Sequence, residues 1–283
     1  MTLPSLVSTE WLAGRLGRAG LRVLDASWYL PSAGRDARTE YLGGHLPGAL
    51  FFDLDAVSDP DTSLPHMLPS AAAFARAMTG LGLRDGDDLV VYDGTGANMS
   101  AARAWWMFRA FGHPAVALLD GGSAKWRREG RPLEVGAVTL PPGGFTATLD
   151  PRAVRSLDEV RANLRTQREQ VVDLRPAGRF RGTDPEPRPG LRGGHIPGSR
   201  SVPYLELVAA DGTLLPPDAL RRRLEDAGLD LARPLVATCG SGTSACTLIH
   251  ALHLLGYDQT ALYDGSWTEW GGREDVPVST GPA

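Results

Sequence analysis

The sequence contains only two cysteines, Cys239 and Cys246, which lie seven positions apart. This gives no disulfide framework and indicates a reducing compartment. The six histidines are scattered, and together with the cysteines they do not form the spacing of a zinc site, so we expect no bound metal. No Gly-x-Gly-x-x-Gly motif opens a strand–helix unit, so we also expect no nucleotide or other organic cofactor.

Long apolar runs and an excess of charge of either sign are also absent. No run approaches the roughly 18 residues that a transmembrane helix needs, and the first residues do not form a basic segment followed by an apolar one. The formal net charge is −4, with acidic and basic residues mixed along the chain. We therefore expect a cytoplasmic protein with no membrane partner and no nucleic-acid partner.

The sequence does contain a second copy of its own pattern. Four segments of the first half recur in order in the second half, with offsets of 148, 150, 146 and 144 residues. The pairs are Val23-Leu24-Asp25-Ala26 with Val171-Val172-Asp173-Leu174, Gly44-His45-Leu46-Pro47-Gly48 with Gly194-His195-Ile196-Pro197-Gly198, Val90-Val91-Tyr92-Asp93-Gly94 with Val236-Ala237-Thr238-Cys239-Gly240, and Leu119-Asp120-Gly121 with Tyr263-Asp264-Gly265. So long a period indicates a duplicated domain rather than a solenoid. Asp93 stands where Cys239 returns, so only the second copy can carry thiol chemistry.

Each half has the pattern of an α/β domain. Apolar runs predict strands near 21–25, 88–92, 115–119, 171–173 and 234–238, and helical spacing predicts helices near 71–81, 100–111, 157–165, 217–227 and 244–255. This alternation predicts a mostly parallel sheet flanked by helices in each domain. A Pro- and Gly-rich stretch gives an N-terminal domain over residues 1–140, a linker over 141–150 and a C-terminal domain over 151–283.

Cys239 directly follows a predicted strand, and only small residues separate it from the next predicted helix. Ligands of such sheets bind beyond the carboxyl ends of the strands. A thiol in that place faces backbone N–H groups and the positive end of a helix dipole, which favour a nucleophilic thiolate. The alternative is an inert buried cysteine, and that is the interpretation we favour for Cys246.

Four further motifs, together with the duplicated unit and the Cys-Gly-Ser-Gly run, are typical of one family. They are Leu24-Asp25-Ala26-Ser27-Trp28-Tyr29-Leu30-Pro31, His66-Met67-Leu68-Pro69, Trp105-Trp106-Met107-Phe108-Arg109-Ala110-Phe111-Gly112-His113 and Gly178-Arg179-Phe180-Arg181-Gly182-Thr183. From about Trp11 to Trp270 the chain resembles the tandem rhodanese-domain sulfurtransferases, and especially the members that use 3-mercaptopyruvate. The resemblance implies two rhodanese-like domains. It also implies that the thiolate takes sulfur from a small-molecule donor, becomes a persulfide, and passes the sulfur to an acceptor thiol (thioredoxin or a small thiol) or to cyanide.

The resemblance implies substrate-binding roles for two arginines. Arg179 and Arg188 match the family's arginine pair, and a guanidinium binds a carboxylate through two parallel hydrogen bonds. From the sequence alone, each is equally well a solvated surface charge.

The resemblance also implies a catalytic group of three. Ser241, His45 and Asp36 match a serine, a histidine and an aspartate that assist proton movement at the donor in this family. A histidine relay fits the chemistry, because pyruvate leaves as an enolate that needs a proton. The open alternatives are that His45 only fixes a turn, as its copy His195 would, and that Asp36 only pairs with a neighbouring arginine.

The loop after the cysteine indicates the donor. Its residues Gly240, Ser241, Gly242, Thr243 and Ser244 are all uncharged, whereas thiosulfate-using members of the family typically have cationic residues there. We therefore predict that the loop N–H groups bind the persulfide and that the donor is 3-mercaptopyruvate, which is released as pyruvate. Thr243 and Ser244 depart from the valine and threonine that are usual in the family.

Two other functions stay open, namely a thiosulfate:cyanide sulfurtransferase and a persulfide-carrying binding module. A dual-specificity phosphatase of the same fold class is excluded. Its loop needs an arginine six positions after the cysteine, where this chain has Ala245, and no arginine lies between positions 240 and 250.

If Arg188 binds the donor carboxylate, the Arg188→Ala variant raises the KM for 3-mercaptopyruvate more than it lowers kcat. Steady-state kinetics with varied donor concentration measure both constants. An unchanged KM removes Arg188 from the site.

Overall fold

The computed structural model describes residues 3–282, which form two compact units. The first unit comprises the described residues up to Pro60, together with Leu68–Asp150 and Ala209–Leu214, and the second comprises Asp61–Met67, Pro151–Val208 and the described residues from Leu215 onward. Within residues 3–282, no helix has both the length and the apolar character needed to span a bilayer.

The first unit is a five-stranded parallel sheet with helices between the strands. The strand order is β1-β5-β4-β2-β3. Its strands are β1 Leu6–Val7, β2 Leu21–Asp25, β3 Leu50–Phe51, β4 Asp88–Tyr92 and β5 Val116–Leu119, and its helices are α1 Thr9–Ala13, α2 Ala37–Gly43, α3 Leu54–Val57, α4 Ala71–Gly80, α5 Met99–Ala110 and α6 Gly122–Arg128.

The second unit repeats this topology, with the strand order β6-β10-β9-β7-β8, again all parallel. Its strands are β6 Val154–Arg155, β7 Gln170–Asp173, β8 Arg200–Ser201, β9 Leu235–Thr238 and β10 Thr260–Tyr263, and its helices are α7 Leu157–Thr166, α8 Ala177–Arg181, α9 Pro217–Asp226, α10 Ala245–Leu254 and α11 Ser266–Trp270. The predicted fold class and duplication are therefore confirmed.

Local sequence explains where the elements begin and which are buried. Strands β4 and β9 lie at the centre of their sheets and are apolar on both faces, as parallel strands covered by helices must be. Ser156 and Glu159 form a capping box that begins α7. Trp126 and Trp270 are buried at equivalent places, and their indole N–H groups donate to the carbonyls of Pro132 and Pro277 at 2.8 Å in each case.

The main part of the second unit begins at Pro151, and the predicted linker belongs to the first unit. The stretch 141–150 packs on the first unit, where Phe145 is buried and the N–H of Gly143 donates to the carbonyl of Thr79. Two short segments are also exchanged, because Asp61–Met67 belongs to the second unit and Ala209–Leu214 to the first. Composition identifies a linker but not the unit on which it packs.

Candidate active site

Cys239 lies at the carboxyl end of β9, between β7 and β10, and only 2% of its surface is exposed. Its backbone is fixed on both sides, because its N–H donates to Ser266 Oγ at 3.3 Å and its carbonyl accepts from the N–H of Trp267 at 3.0 Å. Adjacent β7 residues hold β9 in parallel register, with Asp173 beside Thr238. The sheet therefore fixes the position from which the thiol projects.

The loop after Cys239 offers unused backbone donors. The N–H groups of Cys246 and Thr247 already bond to the carbonyls of Thr243 and Ser244, closing the first turn of α10. Within residues 3–282, however, the N–H groups of the remaining loop positions donate no hydrogen bond to the chain; these positions are Gly240, Ser241, Thr243, Ser244 and Ala245. A buried N–H without a partner is costly, so this loop is suited to an anionic ligand.

The equivalent loop of the first unit contains its own anion. The Asp93 carboxylate accepts hydrogen bonds from the N–H groups of Thr95, Ser100 and Ala101 at 2.9, 2.9 and 3.0 Å, and from the hydroxyls of Thr95 and Ser100. Asp93 is fully buried. At the repeat offset of 146, Thr95 corresponds to Ser241, so Asp93 satisfies in the first unit a loop donor that the second unit leaves open.

Ser241 contacts a histidine that the sequence analysis did not assign to the site. Its Oγ lies 3.0 Å from Nδ1 of His66, and Thr243 Oγ1 lies 3.1 Å from the same nitrogen. All three side chains are buried. His66 belongs to the exchanged segment 61–67 and has a left-handed backbone with φ of 61°. Such a conformation is rare for a residue with a Cβ and is typical of functional positions.

The structure places the predicted His45 in a different environment. Its Nδ1 lies 2.8 Å from the carbonyl of Tyr41, and its ring stacks on the Tyr41 ring with centroids 4.2 Å apart. Its copy His195 does the same with the carbonyl and ring of Phe180, at 2.9 and 3.8 Å. Two equivalent histidines with equivalent contacts support the turn-fixing alternative.

Asp36 caps the N-terminus of α2. Its exposed carboxylate accepts from the N–H of Thr39 at 2.6 Å. Hydrogen bonds from Thr39 lower the pKa of this carboxylate below its usual value. These contacts explain Asp36 as a helix cap.

Arg179 borders the cysteine loop. A Cβ placed on Gly240 would lie 3.2 Å from Nη2 of Arg179, so only glycine leaves the guanidinium in its place. The Nε and Nη2 atoms of Arg179 donate to Oε2 of Glu186, the former at 3.1 Å. This guanidinium is therefore held beside Gly240, the residue after Cys239, by the carboxylate of Glu186.

Glu186 is itself buried, with 2% of its side chain exposed, and it links two arginines. Its Oε1 pairs with Nη1 of Arg175 at 2.7 Å, while Arg175 also pairs with Asp173 at 2.6 Å and lies over the ring of Trp267 at 4.1 Å. Burial opposes the charge of Arg175, but the carboxylates of Asp173 and Glu186 raise its pKa above the usual value. Asp173, Arg175, Glu186 and Arg179 therefore form one continuous ion-pair network.

Two more of the predicted substrate-binding residues, Arg188 and Gly242, lie in the second unit. Arg188 is half-buried in the segment that follows α8, and Gly242 has a left-handed φ of 73° in the loop. Cys246 is the second residue of α10, fully buried, with its Sγ 3.3 Å from the carbonyl of Gly242. Within residues 3–282, no three His, Cys, Asp or Glu side chains are grouped as metal ligands.

The sequence analysis missed two residues, His66 and Glu186. A signal existed for His66, since the run His66-Met67-Leu68-Pro69 was among the motifs that carry the resemblance. Glu186 gave none, because a glutamate in a Pro-rich segment normally indicates exposed loop.

Comparison with known proteins gives the same fold and the same kind of protein. The family profile of the rhodanese-like domain matches residues 8–129 and 156–273. The human 3-mercaptopyruvate sulfurtransferase is 46% identical over 271 residues, which cover 94% of this chain and 91% of the human protein. The crystal structure of SseA from Escherichia coli, described as a 3-mercaptopyruvate sulfotransferase, superposes with a TM-score of 0.85 at 41% identity and covers 94% of this chain and 99% of that one.

A plant relative bears on donor and location. The Arabidopsis thaliana protein named thiosulfate/3-mercaptopyruvate sulfurtransferase 1, mitochondrial, is 43% identical to this chain. The matched region covers 99% of this chain and 79% of the Arabidopsis protein. Its name includes two donors and an organelle. The cytoplasmic location of the present chain therefore stays a prediction.

The Asp93→Ala variant is expected to lower the free energy of unfolding by about 3 kcal/mol, because it leaves several buried donors without an acceptor. Chemical denaturation measures this loss, and Asp93→Asn, which keeps one acceptor oxygen, is expected to lose less. Sulfur transfer per folded molecule stays unchanged. A large fall in kcat in the folded variant would instead assign chemistry to the first unit.

The Glu186→Gln variant removes the charge that holds Arg179 and keeps the shape of the side chain. We expect the KM for the sulfur donor to rise by about fivefold with a smaller change in kcat, since a charge-assisted bond to a binding group is lost. Glu169→Gln, which disturbs the ion pair with Arg155 in the same unit, is the matched control. Equal effects of the two variants contradict a positioning role.

Proposed function

The chain belongs to the tandem rhodanese-domain sulfurtransferases, and on that basis we propose that it moves a sulfur atom from 3-mercaptopyruvate through a persulfide on Cys239 to a thiol or cyanide. The observation that supports the proposal is the buried loop after β9, where the N–H groups of Gly240, Ser241, Thr243, Ser244 and Ala245 donate to no acceptor among residues 3–282. The neutral loop favours a small donor whose single negative charge is a carboxylate away from the transferred sulfur.

In the first half-reaction the Cys239 thiolate attacks the sulfur of the donor. The new S–S bond forms as the donor's C–S bond breaks, and the electron pair of that bond stays on carbon as the enolate of pyruvate. The proton of the donor thiol ends on that carbon. The products are pyruvate and a Cys239 persulfide with its negative charge on the outer sulfur, so atoms and charge balance.

The loop accounts for the stability of this intermediate. The outer sulfur lies one bond beyond Sγ, where N–H groups of Gly240, Ser241, Thr243, Ser244 and Ala245 supply donors, as in an oxyanion hole. Fixed donors of this kind also stabilise the resting thiolate. In the first unit, Asp93 takes this place and excludes sulfur.

The contact between His66 and Ser241 supports a proton relay in this proposal. The Ser241 hydroxyl is within hydrogen-bond distance of His66 Nδ1, and a serine–histidine pair relays a proton from the donor thiol to the enolate carbon. We therefore propose His66 for the role that the sequence analysis gave to His45. The Thr243 hydroxyl competes for the same nitrogen, which makes Thr243 a position that tunes the relay.

Arg179 binds the donor carboxylate in this proposal, with Arg188 as its partner. Arg179 borders Gly240 and is held by Glu186, so a monocarboxylate placed there brings its thiol toward Cys239. In the second half-reaction an acceptor thiolate or cyanide attacks the outer sulfur and regenerates the Cys239 thiolate. Thiosulfate as donor with cyanide as acceptor is the second candidate, favoured by the double name of the Arabidopsis relative.

Activities measured with 3-mercaptopyruvate and with thiosulfate distinguish the two candidate functions. Pyruvate release from 3-mercaptopyruvate with a dithiol is measured beside thiocyanate formation from thiosulfate and cyanide. We expect the ratio of kcat/KM to favour 3-mercaptopyruvate, and the Cys239→Ser variant to lose both activities while its far-UV circular dichroism is unchanged. A ratio that favours thiosulfate supports the second candidate, and residual turnover of the serine variant contradicts the persulfide mechanism.

The relay predicts a specific effect of His66. The His66→Gln variant is expected to lower the rate of pyruvate release by about a hundredfold, the usual contribution of a proton-transfer group. His45→Gln is the matched control, because it loses the ring stacked on Tyr41 and so lowers the melting temperature without changing kcat in the folded protein. The reverse pattern would return the role to His45.

A further inference from the structure

The first unit contains a polar cavity of about 450 Å³ that the proposed reaction does not use. It lies beside the carboxyl ends of β2 and β4, the edge of the sheet that corresponds to the Cys239 edge of the second unit. The polar side chains that line it include Asp25, Ser27, Tyr29, Arg35, Ser123 and Arg127.

Comparison with the second unit explains why the cavity is open. With the repeat offsets of 148 and 144, Ser27 corresponds to Arg175 and Ser123 to Trp267. In the second unit these two large side chains lie against each other, with the Arg175 guanidinium 4.1 Å from the Trp267 ring centre. Two serines at the equivalent places of the first unit leave that space unfilled.

Arg127, which belongs to α6, places a guanidinium at the wall of this cavity. It donates to the carbonyl of Gly44, while in the second unit Arg175 donates to the equivalent carbonyl of Gly194 at 2.7 Å. The surroundings differ in charge, because Arg175 is paired with the carboxylates of Asp173 and Glu186. Among residues 3–282, no carboxylate forms an ion pair with Arg127.

Polar groups beside Arg127 are held in place. Ser123 lies one turn earlier on α6, so both side chains reach the cavity from one face of the helix. Arg35 is fixed by Glu40, by the Tyr29 hydroxyl and by the carbonyl of Gly94 at 3.2 Å, and is neutralised by Glu40.

Two guanidinium groups and two carboxyl groups face the cavity, and only Arg35 and Glu40 form an ion pair with each other among the described residues. Glu40 also attracts Arg127 at longer range, and this attraction contributes to the lowered pKa of Glu40. Burial raises the pKa of Asp25, and Oδ1 of Asp25 accepts a hydrogen bond from the N–H of Ser27 at 2.9 Å. The Arg127 guanidinium therefore has no ion-pair partner of its own at the cavity wall.

We propose that this cavity binds a small monocarboxylate, with Arg127 in a bidentate pair with the carboxylate and the hydroxyls of Ser123 and Tyr29 beside an adjacent keto or hydroxyl oxygen. An α-keto or α-hydroxy acid has these groups in the required arrangement. The cavity accommodates such a molecule, and the first unit has no thiol to react with it. We choose pyruvate as the probe because it is a product of the reaction in the proposed function, on which this inference rests.

Isothermal titration of the full-length Cys239→Ser/Arg179→Ala variant with pyruvate tests the site, because these changes disable the proposed donor site of the second unit. We expect binding of one pyruvate per chain, weakened about tenfold or more by adding Arg127→Ala and abolished by adding Ser123→Trp. Arg76→Ala removes an exposed positive charge of the same unit and serves as the matched control with unchanged affinity. Because Arg127 is exposed, its variant is expected to fold.

Three results overturn the proposal. They are an absence of binding to the double variant, equal affinities for the Arg127→Ala and Arg76→Ala proteins, and binding of sulfate with the same affinity as pyruvate, which indicates a general anion site. In the otherwise unaltered enzyme, Arg127→Ala leaves sulfur transfer unchanged. Loss of this binding site and loss of the proposed function are therefore distinguishable.

Discussion

The site depends on one constraint, the need of a buried backbone loop for a negative charge. In both halves of the chain a central strand ends in a loop of small residues that opens a helix. The first half meets the need with the Asp93 carboxylate, which accepts from the N–H of Thr95 in its loop and from two N–H groups in the first turn of α5. The second half has Cys239 instead, and in our proposal its thiolate and persulfide are the anions that the loop binds. One substitution therefore separates a structural loop from a reactive one.

The two units have the same sheet topology, but the side chains around their two loops differ. In the second half, the buried Arg175 and Trp267 fill the space beside the strand ends, and Glu186 holds Arg179 beside Gly240. The first half has serines at the positions of Arg175 and Trp267 and leaves a cavity. The exchanged segment 61–67 brings His66 to Ser241 within the second unit. Reactivity thus comes from residues that the repeat does not share.

The fold and the position of Cys239 at the end of a strand were predictable because both follow from local pattern. Apolar runs gave β2 and β4 with the bounds that the structure has, and Cys239 had to lie at a strand end. His66 was not predictable from the residues alone, since a segment of the first half belongs to the second unit. The resemblance to the family led us to assign the proton relay to His45. In the structure, His45 Nδ1 instead contacts the carbonyl of Tyr41, which fits a turn-fixing role. Glu186 was missed because only tertiary packing buries its charge between two arginines.

The most direct test of the persulfide is peptide mapping by mass spectrometry after the protein has been exposed to 3-mercaptopyruvate without an acceptor. We predict an increase of about 32 Da, one sulfur atom, on the peptide that contains Cys239, removed by cyanide or a thiol. The peptide also contains or adjoins Cys246, so fragmentation must assign the added mass to Cys239. Unmodified Cys239 after pyruvate has been released, or sulfur found only on Cys246, would contradict the account.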